Sequence, residues 1–185
     1  MNKNRKYAII IILVTNAILI SFLESFIPIP VPVPGVKLGL GNIVTMIAIA
    51  FLPFKDVLFI VVVRSLVVAI LTRGVMMLAF SMSGGILSAI LMWLLYKKFS
   101  GVFSVKGIGI AGAIMHSTAQ VVVASLVLGQ AVVMFYLPIL LIASVITGLI
   151  TGSIADLSIN EIRNKGVFTN GIKNEVKQEA LNESA

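Results

Sequence analysis

A few polar side chains stand inside long apolar runs, and theirs is the chemistry that needs explaining. Arg64 falls in the run Val57–Leu71, about eight residues from either end, or roughly 12 Å from each edge at 1.5 Å per helical residue. A guanidinium at that depth costs about 2.5–3.5 kcal/mol even on lenient insertion scales, so it must face other protein and meet a ligand, a carbonyl or an amide such as Gln120. His116 is the only histidine, and Gly112, His116 and Gln120 recur every four residues, which puts them on one helix face. His116 is therefore either a hydrogen-bonded core residue or, beside Gln120 and at the depth of Arg64, a ligand contact. With no second histidine and no acidic cluster near it, a metal site does not follow.

Glu24 closes the first apolar run, where it either binds a ligand or is hydrated at the interface. Lys37 sits among Gly35, Gly39 and Gly41, just before Asn42. Glycines allow close backbone approach, and asparagine is a favoured helix N-cap. The segment either holds an anion over exposed N–H groups at a helix start or is a capped turn with an interfacial lysine. Arg73 is an interfacial anchor or part of an outer mouth. Glu24, Lys37, Asn42, Arg64, Arg73, His116 and Gln120 thus form the candidate substrate-binding set.

Catalysis has no comparable support. The only aspartates, Asp56 and Asp156, lie far apart at helix ends, so the paired clusters that would hold magnesium and a diphosphate are missing. There is no phosphate-binding P-loop for ATP hydrolysis, and the absence of cysteine rules out thiolate chemistry and disulfides. The expectation is a protein that is not an enzyme and carries no cofactor or metal.

The elements that position these residues are set by composition. The 185 residues are 59% hydrophobic and 11% charged, with mean hydropathy +1.11, more apolar surface than a soluble domain of this size can hide. We expect an all-α integral membrane protein. Its six spans would lie near Tyr7–Ile27, Leu40–Leu52, Val57–Leu71, Met77–Tyr96, Gly107–Leu128 and Phe135–Ile154. Residues 1–158 would form the six-helix membrane domain and 159–185 a polar cytoplasmic tail. Four of the six prolines fall between Pro28 and Pro34, which forces an extended segment and makes 28–42 an outer loop.

Lysines and arginines before the first span, in alternate loops and after the last span place both termini in the cytoplasm of a multi-pass plasma-membrane protein. The net charge of +7 is then a topology signal, and scattered basic residues without interleaved aromatics argue against nucleic acid. The first apolar run lacks a small-residue cleavage site and reads as a retained helix. Trp93 and Tyr96, followed by Lys97 and Lys98, read as an interfacial belt. Ser81–Gly85 allows close helix packing or a broken helix start. Ser144, Gly148 and Gly152 make a small-residue stripe for packing within the bundle or against a partner.

The Glu-ended first helix, PVPGVKLGLGNIVT, the arginine of the third span, SGGILSAILM and GAIMHSTAQ together resemble the Gx transporter family, often labelled heptaprenyl diphosphate synthase component I. The resemblance runs from about Glu24 to Val123, and KLGLGNIV is its most specific part. That family is similar to the substrate-binding S components of energy-coupling factor transporters. The resemblance implies a six-transmembrane-helix bundle, an outward-opening pocket for a small anionic or polar ligand, a lid from the first outer loop, and a membrane scaffold subunit and ATPase subunits as partners beside the lipids. Ala8 and Ala17 do not have the Ala-xxx-Ala spacing of scaffold-docking S components, and the family's His-Asn pair appears here as His116–Ser117. The label implies the other reading, a membrane subunit assisting prenyl diphosphate synthesis.

Overall fold

The computed structural model describes residues 3–27, 37–72, 74–99 and 101–166. It is all helical, with α1 Lys3–Glu24, α2 Asn42–Phe51, α3 Phe54–Leu71, α4 Val75–Lys98, α5 Val105–Leu128 and α6 Leu137–Asn164, the last preceded by a 3-10 turn over Ala131–Tyr136. The proline-rich Pro28–Pro34 and the C-terminal tail beyond residue 166 lie outside the described residues.

Four helices, α1, α4, α5 and α6, are long and apolar enough to cross a membrane, and the chain is a multi-pass membrane protein. The other two expected spans differ. α2 has ten residues, about 15 Å at 1.5 Å per residue, half the thickness of a hydrocarbon core. Its start waits for Gly41 and its end is set by Pro53, which opens α3 as N-cap because proline lacks the N–H that a continuing helix would need. α3 has 18 residues but carries Lys55, Asp56 and Arg64 among them.

Side-chain size decides the packing. α5 lies between α4 and α6, and α1 lies on α3. The α5–α6 seam is made by glycines: a Cβ on Gly109 would lie 2.6 Å from Gly152 Cα, and one on Gly148 would lie 2.5 Å from Ile110 Cα. The stripe of Ser144, Gly148 and Gly152 is therefore spent inside the bundle, letting two backbones touch. Ser144 adds a buried bond to Ser117 at 2.6 Å. Ile49, Ile60, Val61, Ala89, Met92 and Ile108 fill the centre. Ile11, Ile12 and Leu19 of α1 and Ile142, Ile146 and Leu157 of α6 point outward, as a lipid-facing surface requires.

Two sets of helix ends gather the polar groups. At one end Lys6 of α1 pairs with Asp56 of α3 at 2.7 Å, Phe54 packs on Trp93 with ring centroids 5.0 Å apart, and Arg163 of α6 reaches Tyr96 of α4 at 2.8 Å. The other half of the bundle holds the candidate site.

Candidate functional site

The site is built where α1 ends, α2 begins, and α3, α4 and α5 pass. Glu24 is 3% exposed, so the hydrated alternative fails. Its carboxylate accepts the Gly39 N–H at 2.6 Å, a charge-assisted bond that pins the chain leading into α2. Gly39 takes φ +86°, a left-handed conformation that suits glycine. This turn presents its N–H to the carboxylate and carries the chain into α2.

Lys37 is also buried. Its backbone N–H goes to Gln120 Oε1 at 2.8 Å, and its ammonium donates to the Ser21 carbonyl at 2.9 Å. The backbone N–H groups of Lys37 and Gly39 are thus held by Gln120 and Glu24. Asn42 does not cap α2: the N-cap is Gly41, without a side-chain bond, and Asn42 is the first helical residue. Its side chain turns inward toward Ser88 on α4, whose hydroxyl lies 3.4 Å from Asn42 Oδ1.

Because Gln120 uses its oxygen on Lys37, its amide nitrogen is the donor toward His116 Nε2, 2.9 Å away. His116 Nε2 then accepts, which places the imidazole proton on Nδ1. Nδ1 turns toward Gly84 without a well-aligned hydrogen bond. The four-residue spacing of His116 and Gln120 therefore gives a local relay that joins α5 to the Lys37 segment. Gln120, a candidate partner for Arg64, serves Lys37 and His116 instead.

Arg64 is 2% exposed, and its Nε is buried without a hydrogen bond. Glu24 lies within electrostatic reach of both Arg64 and Lys37. The guanidinium threads between glycines: a Cβ on Gly41 would overlap Nη1, and one on Gly85 would lie 3.0 Å from Nη2. The imidazole is cradled in the same way, with a Gly84 Cβ 3.0 Å from its Nδ1 and a Gly39 Cβ 3.2 Å from its Cδ2. Ser81–Gly85 therefore serves close packing, well inside α4 rather than at its start.

Glu24, Lys37, Arg64 and His116 line one small cavity with Ser21 and Ser81, too tight as packed to admit a water molecule. Asn42 and Gln120 adjoin it through Gly39 and His116. Arg73, the seventh candidate, lies outside the described residues. Arg64 Nε, a donor of a lining residue, and the adjoining Asn42 Nδ2 and Ser65 hydroxyl lack a hydrogen bond, while His116 Nδ1 meets the Gly84 backbone. Two cations and one carboxylate share this space, so it is donor-rich and net positive, an environment that favours acceptor oxygens. Among the described residues no group of three His, Asp or Glu side chains is placed to hold a metal.

Several site residues escaped the sequence reading. Ser21 stands one helical turn before Glu24, and Ser81 and Ser88 lie three before and four after Gly84. That spacing puts each on the site face of its helix. Serine is so common in membrane helices that spacing alone does not single it out.

No curated protein and no solved structure matches the chain. A family model does, that of heptaprenyl diphosphate synthase component I, over residues 13–157. The match takes in all six helices, though only part of α1 and α6, and every site residue described above. The chain belongs to the heptaprenyl diphosphate synthase component I family.

Proposed function

We propose that this protein is the substrate-binding membrane subunit of an energy-coupling-factor-type transporter, taking up a small anionic ligand from outside the cell. The observation that carries this reading is the pair of unpaired buried donors, Arg64 Nε and the adjoining Asn42 Nδ2, at one cavity with an excess of positive charge. Leaving a buried donor unpaired costs about 1–3 kcal/mol. The oxygens of a carboxylate or phosphate would offer these donors acceptors, and Arg64 and Lys37 would balance its charge. The cavity is too narrow for a water molecule as it stands, so entry requires the Lys37–Gly41 segment to lift from Glu24 and Gln120. Both termini are assigned to the cytoplasm on the lysine and arginine distribution, and a scaffold subunit and ATPase subunits would supply the energy.

The family description favours a second reading, a membrane subunit that assists prenyl diphosphate synthesis. On that reading the same donors would receive a diphosphate on behalf of a soluble catalytic partner.

Native mass spectrometry of the protein purified in mild detergent tests the receptor. We expect a retained small anion in the wild type that is lost in Arg64→Ala, and retention of the same anion by that variant would overturn the site. Coexpression with a scaffold and ATPases separates the two readings. Failure to copurify, together with stimulation of a soluble prenyl diphosphate synthase, would select the second.

A further inference from the structure

The opposite end of the bundle holds a cleft that plays no part in this reading. It lies where α4 ends, α5 begins and α6 ends, and has a volume of about 450 Å³. Tyr96, Lys97 and Arg163 line one side, and Phe103, Val105 and Ile108 supply apolar wall. The polar side is ordered. Arg163 Nη2 donates to the Tyr96 hydroxyl at 2.8 Å, which fixes the plane of the guanidinium fork, and Lys97 Nζ lies 5.9 Å from the Tyr96 ring centroid. One of the five N–H groups of the guanidinium is used in this bond, so the rest of the fork can meet a planar or tetrahedral oxyanion.

The local charge is one-sided. No acidic residue occurs between Lys97 and Gly107, a stretch that also contains Lys98 and Lys106. Glu161, two residues before Arg163, is paired with Lys165 at 3.0 Å. The apolar wall continues inward to Ile108, which is 1% exposed.

We propose that this cleft binds the phosphate head of an amphiphile, with Lys97 and Arg163 on the head and Phe103, Val105 and Ile108 against the first part of its apolar chain. An inorganic anion would use the cations and leave the wall idle, whereas a neutral lipid would do the reverse. A phosphate monoester on a hydrocarbon chain uses both halves, and the Trp93–Tyr96 belt sets the cleft at the depth where such a head resides. The site is distinct from the donor-rich cavity and stands or falls independently of it.

The test uses the full chain in a neutral sugar detergent, with three probes: short-chain phosphatidic acid, diacylglycerol of the same chains and inorganic phosphate. Phosphatidic acid is expected to bind at least tenfold more tightly than either of the others. Lys97→Gln with Arg163→Gln should weaken it at least tenfold, while Lys3→Gln with Lys55→Gln, the same loss of charge on α1 and α3, should leave it unchanged. All four side chains are exposed, so the folded state is expected to survive, and Tyr96→Phe, which frees the guanidinium, should give a smaller loss if the double variant does not purify. Equal loss in both double variants would reduce the effect to diffuse charge and overturn the site. Diacylglycerol binding as tightly as phosphatidic acid would overturn the role of the head, and inorganic phosphate doing so would overturn the amphiphile.

Discussion

The two ends of this bundle handle charge in opposite ways. At the end with Lys6, Lys97 and Arg163, the charged groups sit at the rim: Lys6 and Asp56 remain 34% and 19% exposed in the side chain, and long stems carry the charges away from the apolar interior. In the other half, Glu24, Lys37 and Arg64 are drawn inside and are no more than 3% exposed. Rim charges need no special backbone. The interior ones are accommodated by Gly39, Gly41, Gly84 and Gly85, each at a place where a methyl group would press on the guanidinium or the imidazole. The difference teaches that room for the buried charges is made at the backbone, by the absence of side chains, and buried charge inside an apolar bundle is what makes this half the candidate site.

The contrast can be broken by substitution, and the largest effect belongs to Arg64. Arg64→Ala should weaken retention of the native ligand by about 10- to 150-fold, the equivalent of a charge-assisted bond of about 1.5–3 kcal/mol, measured by ligand occupancy in native mass spectra. Lys97→Ala at the rim should leave that occupancy unchanged. Next comes Glu24→Gln, which weakens the bond to Gly39 N–H and leaves Lys37 and Arg64 without a compensating charge. Thermal unfolding in detergent should report a loss of about 1.5–3 kcal/mol, and an unchanged midpoint would show that the carboxylate is not what pins the loop. Gly39→Ala should cost about 1–3 kcal/mol by forcing a side chain into the left-handed region, and His116→Ala in the same background should relieve only the steric part, because the φ of +86° remains. The smallest effect is expected for Lys6→Ala, which removes a partly exposed ion pair worth about 0–1 kcal/mol. A loss larger than that of Glu24→Gln would erase the distinction between the ends.

How much could be read in advance depended on whether a residue was out of place. Arg64, Glu24 and His116 are costly or rare in apolar helices, so type and position alone marked them. The four-residue spacing of His116 and Gln120 correctly put them on one face, but their partner could not be read, because Lys37 is 83 residues from Gln120 and nothing local links them. Asn42 misled for a related reason. Its preference for N-caps is a local tendency, and here the polar interior drew its side chain inward and left the cap to Gly41. Six helices were legible from apolar runs, but span length was not. Pro53 and Gly41 cut α2 to ten residues, a little inside the apolar run Leu40–Leu52, whereas the charge at the centre of α3 was legible as Arg64.

The bond from the Lys37 backbone to Gln120 also sets an order of events during synthesis. At roughly 5–20 residues per second, the 83 residues between the two partners take about 4–17 s to make. Within that interval α2 and α3 are made after α1, and the α5 half of the site comes last. Until α5 is made, Glu24 of the preceding chain is an acidic neighbour within electrostatic reach of Arg64. Glu24 is thus an early escort for a charge that α5 later encloses. Its loss should lower the fraction of chains in which α3 inserts, before any ligand is encountered.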